Sequence, residues 1–190
     1  ADVDDGAIAD AGAARITVRG TARQVLAFFA ALGDDRYPFV VAELRNQQKG
    51  RSCAVVPSDL RLWIEAAQHY LYPDVTVVCG EPEFTDDHTD TLVNPTLIVE
   101  VLSKSTKDFD RGEKFTLYRT LPSFAEYVLI AQDRHHVEHI VRQADGRWIL
   151  ADIDRLESTV SLASIEGRLA LAEIYDKVTL PARRVSSSSS

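Results

Sequence analysis

Two carboxylates in this chain stand where a carboxylate needs a physical reason. Glu100 interrupts the run Asn94-Pro95-Thr96-Leu97-Ile98-Val99-Glu100-Val101-Leu102-Ser103, which is otherwise a nearly continuous apolar stretch of strand length. Such a stretch predicts a strand covered on both faces. A charge inside it must be paired, hydrogen-bonded or bound to a metal, because a buried lone charge is strongly unfavourable or titrates away. Asp74 repeats the design, since Tyr72-Pro73-Asp74-Val75-Thr76-Val77-Val78 places an acid at the mouth of a short β-branched strand. The two acids invite a joint reading.

The elements that must position them follow from periodicity and turn chemistry. Upstream, Ile16 and Val18 suggest a short strand, Thr21 to Leu32 an apolar helix, and Phe39 to Gln48 a second helix started by Pro38 and closed by Gly50. Ser52 to Val56 and Leu60 to Ile64 predict adjacent strands, and the acidic stretch between Gly80 and Leu92, with His88, predicts a solvated loop whose spacing matches no ligand pattern. Cys53 and Cys79 lie far apart without a CxxC or a His-rich partner, which predicts two buried reduced thiols.

Beyond the Glu100 strand, Asp110 followed by Glu113 predicts a capping box opening a helix through Thr120. Lys114, Leu117, Tyr118 and Leu121 share one face of it, and Pro122 ends it. Phe124 to Ile130, His135 to Val141 and Arg147 to Ala151 predict a β-meander turning at Asp145-Gly146. Ser158 to Leu162 adds a short strand and Leu169 to Tyr175 a closing helix. His135 and His136 read as strand polar residues, and Trp63, Trp148, Tyr118 and Tyr127 as core or edge aromatics.

Pro73-Asp74 and Glu100 together resemble the acidic pair of the PD-(D/E)XK nuclease superfamily. More specifically, YPDVTVVCG, NPTLIVEVLS, DRGEKFTLYRTLPSFAEYVLI and LALAEIYDKV, in that order, resemble the Uma-two family of restriction endonucleases from about Arg45 to Val178. The resemblance implies an α/β (α+β) fold: a restriction-endonuclease-like core with a central mixed β-sheet flanked by helices. It also implies a metal-dependent phosphodiesterase acting on DNA. Val3 to Ile8 looks like a family hairpin carrying Ala7 where the family has Glu; on that alignment the family's preceding helix is expected to be missing, so its acid is not carried over.

Phosphodiester hydrolysis needs an activated water and stabilised charge on the phosphate and leaving oxygen. Magnesium, or manganese in its place, serves both needs and is held by one or two carboxylates plus substrate phosphate. Asp74 and Glu100 would be those ligands. The superfamily's usual Lys, two residues after the second acid, is Leu102 here. Lys114, in the GEK-F-x-x-Y pattern, is the expected replacement, ahead of Lys104 in the turn. On the residues alone, Asp74 also reads as a turn residue, Glu100 as the buried partner of Lys114 or Arg111, and Lys114 as a solvated helix residue.

At 190 residues the chain suits one domain. The expected division is an acidic leader or partial hairpin over 1–14, a nuclease-like domain over 15–180 and a Ser-rich tail over 181–190. Ordinary apolar and charged content excludes global disorder, and no apolar run approaches a membrane span, so a soluble cytoplasmic protein is the default. The net charge of −8 disfavours loose polyanion binding, but residues 104–119 are locally basic through Lys104, Lys107, Arg111, Lys114 and Arg119. Three readings stay open: a magnesium-dependent DNA endonuclease, a catalytically inactive nuclease-fold protein binding nucleic acid or a protein partner, and a structural domain whose acids only form ion pairs. A homodimer is expected, since cutting two strands wants two sites and two-fold dimers are the commonest oligomers.

Overall fold

The computed structural model describes residues 7–11, 14–18, 38–57, 60–85, 88–103, 106–176, 178 and 180. The helix expected over Thr21 to Leu32, the alternative cation Lys104, and the Ser-rich tail lie outside these residues. Strands β1 (Ala7–Ala11) and β2 (Ala14–Val18) form an antiparallel hairpin. Helix α1 spans Pro38–Gln48, and Gly50 follows it with a φ of 79°, a left-handed geometry that glycine adopts without steric cost.

The central sheet has six strands in the order β12, β11, β10, β9, β6, β3. These are β3 (Cys53–Pro57), β6 (Val75–Cys79), β9 (Leu97–Leu102), β10 (Glu126–Ala131), β11 (Val137–Arg142) and β12 (Trp148–Ile153). β9 and β10 run parallel and every other neighbouring pair is antiparallel, so the sheet is mixed, as expected. The meander appears as β10 to β12, its strands displaced from the expected bounds by one or two residues at most ends.

β9 is buried at all its positions. Its alternate residues feed two separate cores. Ile98 and Leu102 join Val56, Val78, Tyr127, Leu129 and Ile140 on one face, while Leu97, Val99 and Val101 join Val55, Val77, Val128 and Ile130 on the other. Period-two alternation on a doubly covered sheet thus accounts for the continuous apolar run, and it sends Glu100 to the Ile98 and Leu102 face. That face is covered by Tyr118, Leu121 and Phe124 and by a smaller sheet of β5 (His69–Leu71), β4 (Arg61–Ile64), β8 (His88–Leu92) and β7 (Phe84–Thr85). α1, the hairpin of β13 (Thr159–Leu162) and β14 (Gly167–Ala170), and helix α3 (Leu171–Ile174) cover the opposite face.

Several expectations are corrected. Cys53 and Cys79 are not free thiols: they face each other across β3 and β6 and form a disulfide. Sequence spacing hid this because strand pairing, not proximity along the chain, brings the two together. β3 and β4 are consecutive but belong to different sheets. The acidic stretch before Leu92 contains strands β7 and β8, and its Asp90 pairs with Arg61 at 3.1 Å. His135 and His136 precede β11 instead of lying in it, and the closing helix is shorter than expected because Gly167–Ala170 is strand.

Asp110 is not a cap. The helix after β9, here α2, begins as α-helix over Lys107–Phe109, widens to a π-helical turn over Asp110–Lys114 and returns to α-helix over Phe115–Tyr118. Its start lies three residues earlier, where Ser103 Oγ accepts the Thr106 N–H at 3.2 Å. Asp110 therefore lies within the helix instead of capping it.

Candidate active site

Glu100 is 2% exposed and every hydrogen bond to its carboxylate comes from a defined direction. Oε1 accepts from Lys114 Nζ and from the Tyr118 hydroxyl, both at 2.9 Å, and Oε2 faces the Asp74 N–H at 3.4 Å. Asp74 Oδ2 in turn accepts the Val101 N–H at 2.8 Å. The antiparallel register pairing Val75 with Val99 is what brings the two acids to one edge of the β6 and β9 pair. Each acid thus holds the backbone beside the other, and the two are fixed by the sheet.

Lys114 is the centre of a helix-borne set. Its ammonium also lies 2.9 Å from Asp110 Oδ1, one turn back, as an ion pair. Asp110 is 2% exposed, and Tyr127 donates to its carbonyl oxygen at 3.1 Å. The widened turn Asp110–Lys114 carries Asp110, Arg111 and Lys114 together, and π-helical turns within α-helices occur often at functional sites. A widened turn shifts the side-chain phase, which lets Lys114 reach Glu100 on the strand below while Arg111 reaches Glu138 on β11.

The electrostatics follow from burial. Loss of water raises Glu100's carboxyl to about 7, with neighbouring Asp74 adding to the rise and Lys114 opposing it. For Lys114, burial acts to lower the ammonium, but the Glu100 and Asp110 carboxylates outweigh it and the net direction is upward. Burial and the same acids push the Tyr118 hydroxyl well above its ordinary range, so it stays a donor. Two carboxylates, those of Glu100 and Asp110, share the Lys114 ammonium, each 2.9 Å from it, and Asp74 stands beside Glu100 through the backbone contacts of the strand pair.

Asp74, Glu100 and Lys114, the residues singled out from sequence, therefore come together. Leu102 is 5% exposed and packs in the core on the Glu100 face. Asp110 and Tyr118 were missed as members of the cluster. Their signal was present: each lies four positions from Lys114, so all three share a helix face. Reading Asp110 as a cap obscured it.

Comparisons with known proteins agree with this architecture. A solved structure described as a "putative nuclease belonging to DUF820" from Anabaena variabilis superposes with a TM-score of 0.59 at 13% identity, covering 90% of this chain and 91% of that one. At that identity the likeness shows the fold, a nuclease-type mixed α/β core. Two uncharacterized Synechocystis sp. proteins are related in sequence. One, sll1609, is 41% identical over 65% of this chain and 71% of its own length. The other, slr1290, is 35% identical over 68% of this chain and 67% of its own. The chain belongs to the Uma2 family, described as "Putative restriction endonuclease", whose profile matches residues 37–172. Family and fold together place it among restriction-endonuclease-like nucleases. Among the described residues no helix is long and apolar enough to cross a membrane.

Proposed function

We propose that the chain is a metal-dependent DNA endonuclease whose site is Asp74, Glu100 and Lys114. The observation that carries this reading is that Lys114 Nζ, delivered from α2, lies 2.9 Å from Glu100 Oε1 at the strand edge where Asp74 also sits. This supplies the cation that position 102 lacks.

Asp74 and Glu100 would hold magnesium or manganese. The bound ion would supply Lewis-acid charge and a water of lowered pKa. The chain's own groups do the rest. Tyr118 donates to Glu100 Oε1 and fixes the carboxylate's rotation. The Asp74 carboxylate is aimed by the Val101 N–H. Lys114 is positioned to place positive charge beside a phosphate that approaches Glu100, stabilising charge that develops on it. The surrounding apolar core strengthens that contact by excluding water.

Ile149 and Leu150, 54% and 50% exposed on edge strand β12, support a homodimer formed through that edge. A cytoplasmic location belongs to the same proposal. The Cys53–Cys79 disulfide is the observation that weighs against it, since disulfides are rare in reducing compartments.

The test is nicking of supercoiled DNA with magnesium or manganese, together with manganese calorimetry, on wild type, Asp74→Asn and Glu100→Ala. Cleavage and one bound ion should disappear in both variants while each stays folded. Undiminished cleavage in Glu100→Ala would overturn the site. The second reading, a nuclease-fold protein that binds nucleic acid without cutting it, is favoured by Leu102 and by the two internal donors that already occupy Glu100 Oε1. Metal-independent DNA binding with no cleavage would establish it.

A further inference from the structure

We propose that His136, Glu138 and Asp152 form a second cation site, for a first-row divalent transition ion, separate from the Asp74 and Glu100 pair.

The sheet itself assembles these residues. Glu138 on β11 is the register partner of Asp152 on β12, and His136 stands two residues before Glu138, so the three side chains share one face. One donor atom from each lies within 4.8 Å of the other two. His136 Nε2 is 2.9 Å from Asp152 Oδ1, and its Nδ1 is 3.9 Å from Glu138 Oε1. Because one ion takes only one ring nitrogen, ligation at Nδ1 requires the Asp152 carboxylate to leave Nε2 and turn toward Glu138, which brings the three donors to ligand distances of about 2.0–2.2 Å.

A second observation singles out the imidazole. The His136 side chain is only 15% exposed, and its Nδ1 is buried without a hydrogen-bond partner. A buried ring nitrogen with nothing to bond is an unmet need, since buried polar atoms are nearly always satisfied.

The surroundings hold these ligands in place. The Tyr175 hydroxyl accepts the His136 N–H at 3.1 Å and lies 2.8 Å from the His136 carbonyl and 2.9 Å from that of Ala131, locking the turn that carries the histidine. Arg111 Nε donates to Glu138 Oε1 at 2.7 Å, and its Nη2 bonds the same oxygen, leaving Oε2 as the ligand atom. Carboxylate ligands are commonly oriented by such outer partners. The three residues open into a cleft of about 660 Å³ also lined by Lys107 and Arg134.

This is not half of a two-metal centre. Glu100 is in register with Leu129, and Leu129 with Glu138, so the two acids stand two strands apart. That separation is roughly 10 Å, against about 4 Å for paired ions in one site. The donor chemistry differs too. An imidazole with two carboxylates suits zinc, cobalt, nickel or manganese, whereas the oxygen-only pair at Glu100 suits magnesium.

Cobalt(II) titration of the full chain, followed by visible absorption and calorimetry, tests this. Wild type should bind an ion that Glu100→Gln retains and His136→Ala loses. Asp152→Asn, a change at a 63% exposed side chain that leaves the core untouched, should weaken the same ion by roughly tenfold or more. Thermal melts of each variant without metal confirm folding. Equal stoichiometry and affinity in wild type, His136→Ala and Asp152→Asn would overturn the assignment, as would a wild type whose every bound ion is lost in Glu100→Gln. Because the readout is the ion that Glu100→Gln keeps, failure of the nuclease site leaves this result unaffected.

Discussion

Lys114 reaches Glu100 from the helix above the sheet, with Nζ 2.9 Å from Oε1. The same ammonium lies 2.9 Å from Asp110 Oδ1, so it neutralises two buried carboxylates at once. Lys114→Met should therefore have two effects. Turnover should fall by about 10²–10³, the scale for losing one charge-stabilising donor, while manganese still binds. Stability should drop by about 3 kcal/mol, as expected when a buried pair loses one partner. Nicking assays, calorimetry and urea melts separate the effects, and unchanged turnover would remove Lys114 from the site.

The raised carboxyl of Glu100 makes the metal-free protein pH-sensitive in a defined direction. Its folded value of about 7 lies above the ordinary 4.5, so between these values the folded state holds a proton that the unfolded state has released. Stability then falls as pH rises through this window, by about 3 kcal/mol in total. Urea melts with chelator from pH 4.5 to 8 should show this loss, and Glu100→Gln should flatten it. A wild-type profile that rises across the window would contradict the burial argument.

Tyr118→Phe isolates one hydrogen bond of the site. The ring packs against Phe124 and Tyr127, with centroids 5.8 and 5.7 Å away, so the variant keeps its packing and loses only the donor to Glu100. The charged carboxylate then has less support. The pH midpoint of the stability profile should move upward, and stability at pH 8 should fall by about 1.5–3 kcal/mol. An unmoved midpoint would mean that Tyr118 contributes packing alone.

Much of this arrangement was legible in the sequence, and what was not has identifiable causes. An acid inside a doubly buried strand announces itself, because alternation assigns Glu100 a face and burial demands a partner. Asp74 was marked by the same reasoning. Lys114 came from a family pattern, and the structure adds how it reaches Glu100: the widened turn at Asp110–Lys114, which no local propensity announces. Asp110 followed by Glu113 satisfied the capping rule, yet the Ser103 and Thr106 contacts start the helix earlier. The cysteines, and the row from Glu100 through Glu138 to Asp152, depend on strand order and register. Those are properties of long-range pairing that spacing along the chain does not encode.

The Cys53–Cys79 bond closes a loop 26 residues apart in sequence. On the chain-entropy account, a loop of this size stabilises by about 3 kcal/mol through restriction of the unfolded chain. Thiol titration of the native and denatured protein without reductant should find no free thiol. Reduction, or Cys53→Ala with Cys79→Ala, should lower the urea midpoint correspondingly. Two reactive thiols in freshly purified denatured protein would return the pair to the reduced state expected from spacing.

Glu126 is fully buried on β10 and its two oxygens serve different elements. Oε1 faces His139 Nε2 at 2.6 Å on the neighbouring strand, while Oε2 accepts the Ser164 N–H at 3.0 Å and also bonds the Ser164 hydroxyl. The carboxylate therefore ties the turn after β13 to the central sheet. Glu126→Gln keeps both contacts only if its carbonyl faces Ser164 and its N–H₂ faces His139, which requires the ring to accept at Nε2 in the tautomer protonated at Nδ1. Loss of the charged acceptor and the forced tautomer should cost about 1–3 kcal/mol. Manganese binding at Asp74 and Glu100 should persist in the folded fraction, since none of these three residues touches that pair. If Glu126→Gln abolished the metal site while leaving stability intact, the division between scaffold and site drawn from these contacts would be wrong.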